Sequence, residues 1–167
     1  MMAPPTYTEA LLRAKYHVQV EIEGREVVDK TPAHASVRCR VHHVFRGDDL
    51  HVGDSVRFPV SVCREDDEIP AGGVSWSLLG AFQKARYLEA FLDGNPPDCV
   101  VACSHTYFIG ELSDKPKIAV PTEDEVAAEW LDFNTRRSLG TWLLAQGRPL
   151  RWLLKLVRSR HYHPADS

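Results

Sequence analysis

The sequence predicts an α+β chain: an antiparallel β body, a small barrel or sandwich, followed by a C-terminal helical extension. Apolar and polar residues alternate with a period of two through much of residues 16–62, and Gly/Asp clusters separate those runs. After Pro121 the spacing turns helical. The 167 residues are 44% hydrophobic and 26% charged. A chain of this size buries roughly two-thirds of its unfolded surface, which argues against wholesale disorder. A net charge of -3 argues against a globally basic nucleic-acid binder. No apolar run approaches the roughly 18 residues of a membrane-spanning helix.

Thr8 opens a short helix through Ala14. In the first strand Tyr16, Val18, Val20 and Ile22 face inward, while His17, Gln19, Glu21 and Glu23 form the polar face. In the second, Ala35, Val37, Cys39, Val41, His43 and Phe45 share the inner face, opposite Ser36, Arg38, Arg40 and His42. Val56, Phe58, Val60 and Val62 alternate with Ser55, Arg57, Pro59 and Ser61 in the third. The connection containing Gly47-Asp48-Asp49 and Gly53-Asp54 makes the last two an antiparallel pair. Pro59, lacking an N–H, implies an edge or a bulge. Residues 64–75 read as a loop, and Leu78–Lys84 carries mixed signals. Tyr87–Leu92 is a strand ended by the turn Asp93–Pro97. Cys99–Ala102 and Thr106–Ile109 are expected to form a further strand pair and Lys117–Val120 one more strand, six or seven in all.

Thr122 and Glu125 form a capping box for a helix running through Trp130 and Leu131 toward Ala145. A second helical segment after Pro149 sets Leu150, Leu153, Leu154 and Val157 against Arg151, Lys155 and Arg158. Residues 1–135 hold 13 basic and 22 acidic side chains, residues 136–167 hold 7 and 1. This asymmetry, with Trp142 and Trp152 in the basic part, suits an acidic partner, a nucleic acid or an anionic membrane surface, or simply pairing with the chain's own acidic body.

Common nucleotide-binding and hydrolytic signatures are absent from the sequence. Cys103-Ser104-His105 could offer two metal ligands about 7 Å apart on one strand face, but a structural role is the better reading and no metal or other cofactor is expected. Neighbouring His42 and His43 face opposite sides of a strand and form no cluster. Arg46-Gly47-Asp48 spells an adhesion tripeptide, yet Gly and Asp are what a turn there requires. The acidic run Glu65–Glu68 lacks the ligand spacing of a calcium loop. Cys99 and Cys103 would lie about 13 Å apart on a strand, too far to pair, whereas Cys39 and Cys63 could meet through space. The segment Met1–Glu9 shows no basic and apolar export pattern, so the expected location is cytoplasmic with reduced thiols.

Three stretches carry a family resemblance: Val41-His42-His43-Val44-Phe45-Arg46-Gly47-Asp48, then Val52-Gly53-Asp54-Ser55-Val56, then Arg86-Tyr87-Leu88-Glu89-Ala90-Phe91-Leu92. Over about residues 16–120 the chain resembles the netrin/TIMP-type (NTR-like) OB-fold proteins. It lacks their N-terminal cysteine framework, and Lys84-Ala85 stands where a turn glycine often precedes the later strand, so metalloprotease inhibition is not carried over. The resemblance implies a five-stranded OB-like β-barrel that serves binding. The expected organisation is a barrel domain with a short N-terminal helix over 1–120, and a helical extension packed on it over 121–167. The expected function is a non-catalytic binding or protein-interaction module, with another protein or a second copy as partner. The alternatives are single-stranded nucleic-acid binding and peripheral membrane association through the basic helix. No residue is assigned a catalytic role. Candidate contact residues are Arg38, Arg40 and His42 on the second strand and Arg151, Trp152, Lys155 and Arg158 on the tail.

Overall fold

The computed structural model describes residues 4–69 and 74–145. The elements are α1 (Pro4–Arg13), β1 (Tyr16–Arg25), β2 (Ala33–Arg46), β3 (Ser55–Cys63), β4 (Ser77–Leu78), α2 (Leu79–Lys84), β5 (Tyr87–Asn95), β6 (Asp98–Ile109) and α3 (Glu123–Ala145). The chain divides into two units, residues 1–127 and 128–167.

The first unit is built on a closed five-stranded barrel. β1 pairs antiparallel with β2 and β5, β2 with β3, and β5 with β6. A parallel bridge between Arg57 of β3 and Asp98 of β6 closes the ring. The predicted α+β class with a small, mainly antiparallel barrel is therefore the fold. Its interior is the period-two apolar set: Val18, Val20, Val37, Val56, Leu88 and Leu92 are all fully buried. Burying side chains of this kind stabilises by roughly 1.5–3 kcal/mol each. Leu79 and Phe82 of α2 join that core.

Pro59 sits where its missing N–H costs no ladder bond. The Arg57 N–H points to the Pro97 carbonyl, and position 59 points to the same edge because strand N–H groups repeat every second residue. On that edge β3 is bridged to β6 at Arg57 and to β4 at Val62 and Cys63, with Pro59 between.

Four local expectations are corrected. Cys99–Ala102 and Thr106–Ile109 are one continuous strand, β6, with a register irregularity opposite Ala90–Leu92. Lys117–Val120 forms no strand; it belongs to an irregular strap that lies over the outside of the barrel. His17 and Gln19, read as polar-face residues, are buried. His43 and Phe45, read as inward, lie on the outer side, because register shifts against β1 around His42 and Phe45 reverse the alternation. Val44 packs on the barrel core instead, while the Phe45 ring contacts His17.

The burial of His17 and Gln19 and the position of the strap share one cause: the barrel has a second apolar layer outside it. Ala10, Leu11 and Ala14 at α1, Phe91 of β5, Ala102 and Tyr107 of β6, and Ile118 and Val120 of the strap pack together. β1 and β5 are thus covered on both faces. Arg46 fastens α1: its Nη1 donates to the carbonyls of Leu11, Leu12 and Ala14 at distances of 2.7–3.1 Å, a cation at a helix C-terminus. Arg46 and Gly47 are thereby explained structurally, for Gly47 has φ +110° and a Cβ there would run into the Tyr16 ring.

The capping box is formed as predicted. The Thr122 N–H donates to Glu125 Oε2 at 2.8 Å, and the Glu125 N–H to Thr122 Oγ1 at 3.2 Å. Within the second unit, Arg136 pairs with Asp132 one turn earlier and Trp130 meets Phe133 edge to face.

Candidate functional site

Two polar constellations stand out, one sealed and one open. The sealed one centres on Glu89, placed on the outer face of β5 by the same alternation that sends Leu88 and Ala90 inward. Its Oε1 accepts from His17 Nε2 at 2.8 Å and the Ile118 N–H at 2.9 Å. Its Oε2 accepts from Gln19 Nε2 at 2.7 Å and the Lys117 N–H at 2.9 Å. Gln19 Oε1 in turn accepts the Ser113 N–H. Burial opposes the charge on Glu89, but these hydrogen bonds, the Lys117 N–H first, hold its carboxyl below its ordinary pKa. Burial pushes the His17 imidazole below its usual value despite the Glu89 contact, so the neutral ring donates from Nε2. His17 also stacks on Phe91, with centroids 4.0 Å apart.

A buried acid–base pair suggests catalysis, and here geometry decides against it. His17 is 1% exposed and Glu89 0%, and a general base must reach the proton it takes. All four acceptor positions of the carboxylate are occupied by the chain itself. The cluster holds the strap to the barrel.

The open constellation is the outer face of β1, β2 and β3, where Arg38, Arg40 and His42 lie. Arg40 and Arg38 are exposed and His42 is half-buried. Arg40 binds Glu23 at 2.6 Å, while His42 and Arg86 share Glu21 at 3.1 and 2.9 Å. Such exposed pairs contribute roughly 0–1 kcal/mol each. Arg38 differs: among the described residues it has neither an ion pair nor a side-chain hydrogen bond. It lies directly opposite Arg57 across β2–β3 and beside Gly24 of β1. Like charges in register destabilise a strand pair by up to about 1 kcal/mol. A concavity of about 380 Å³ opens here, lined by Gly24, Arg25, Glu26, Ser36, Arg38 and Arg57. A Cβ on Gly24 would stand 3.4 Å from the Arg38 guanidinium, so glycine leaves room for it. Arg57 was absent from the sequence-derived set, although its polar-face position could have marked it; the Arg25 side chain, in register with inward Val37, lies over the Phe82 ring instead. Arg151, Trp152, Lys155 and Arg158 lie outside the described residues.

A second concavity, about 470 Å³, is lined by Cys63, Arg64, Glu65 and residues of β4 and α2. His105 Nδ1 is 2.7 Å from Ser75 Oγ, and burial lowers its pKa. Among the described residues no three His, Cys, Asp or Glu side chains are grouped to hold a metal. Cys39, Cys63 and Cys99 are buried free thiols, so Cys39 and Cys63 are not paired; burial pushes the Cys39 pKa up to about 12.

Comparison with protein-family models and with curated proteins finds no match to this chain. Among the described residues no helix is long and apolar enough to cross a membrane.

Proposed function

We propose that the chain is a non-catalytic binding module whose ligand, another protein, meets the outer face of β1–β3. The observation that carries this reading is Arg38, an exposed guanidinium left without a carboxylate while set in register with Arg57. The intramolecular fold gains nothing from that placement, whereas an anionic ligand would relieve it. The five-stranded closure supports the OB-type, NTR-like reading of residues 16–120, a scaffold suited to presenting such a face.

Nucleic acid is the weaker occupant. Glu21, Glu23 and Asp98 interleave with the arginines and oppose a phosphate chain running across the strands. The test is a native pull-down from source-cell extract, comparing the wild-type chain with a folded R38E/R40E variant. Protein partners retained by the wild type and lost with the variant support the reading. Identical recovery with both overturns it.

A further inference from the structure

We draw no further inference here: the strongest candidate, the solvent-facing side of α3 where Leu131 stands 71% exposed with exposed Ala128 and Thr135 one turn away on either side, carries none because nothing in the structure shows what covers it.

Discussion

Glu89 has four acceptor positions, and the chain fills each with one donor: His17, Gln19, and the Lys117 and Ile118 amides. Glu89→Gln turns one end of the group into a donor facing donors, which leaves buried polar groups unpaired. A loss of about 2–4 kcal/mol is expected in chemical denaturation, with faster exchange of the Lys117 and Ile118 amides. The pH dependence follows from two depressed pKa values. The stabilisation from charged Glu89 is complete above its ordinary value near 4.5 and is lost as pH falls through its lower folded value. Folded His17 also resists protonation, so the unfolded chain takes up that proton first, and stability declines once pH drops below about 6.5. His105, lowered by burial, contributes in the same direction. A His17→Gln variant should therefore show a shallower loss of stability just below pH 6.5, while the Glu89 loss at lower pH remains. An unchanged pH profile would remove His17 from this account.

At the scale of elements, Arg46 shows how a residue at a strand end secures a helix. Arg46→Ala removes the donor shared by two α1 carbonyls, Leu11 and Leu12, and that of Ala14 just past the helix. It should cost about 1–2 kcal/mol and speed amide exchange in α1 while β3 and β5 stay protected. Uniform loss of protection would mean that α1 and the barrel open together. The elements themselves were largely legible in the sequence. β1, β2 and β3 announce themselves by alternation, β5 as a short apolar run closed by a turn, and the Thr122–Glu125 cap depends on two residues one turn apart. The register shifts in β2 were not legible, because an extra residue in a ladder is visible only against the partner strand. Nor was the strap, whose order comes from contacts with Glu89 and Gln19 far away in the chain.

For the whole molecule, the apolar core inside the barrel encloses Cys39 and Cys99, while Cys63 stands at the wall of the concavity beside β4 and α2. Cys39, Cys63 and Cys99 are buried, and burial raises their pKa values. A thiol reagent at neutral pH, read by mass mapping, should label these positions slowly in the native chain and rapidly in denaturant. Fast native labelling of Cys39 would show that the barrel wall opens. The candidate face was half legible. Arg38, Arg40 and His42 follow from period two, but alternation assigns a residue only to a side. That Arg40 and His42 are paired by Glu23 and Glu21 while Arg38 faces Arg57 depends on the alignment of three strands.

Local pattern thus determined the α+β class, the strand segments of the barrel, the inward face of most strands and the cap of α3, because each arises from neighbours a few residues apart. Only the tertiary structure decided that β1 and β5 are covered on both faces, that His17, Gln19 and Glu89 are interior, and that Arg38 stands in register with Arg57. Those outcomes depend on which distant segments come together, and burial and electrostatics act on distances in space, whatever the separation along the chain.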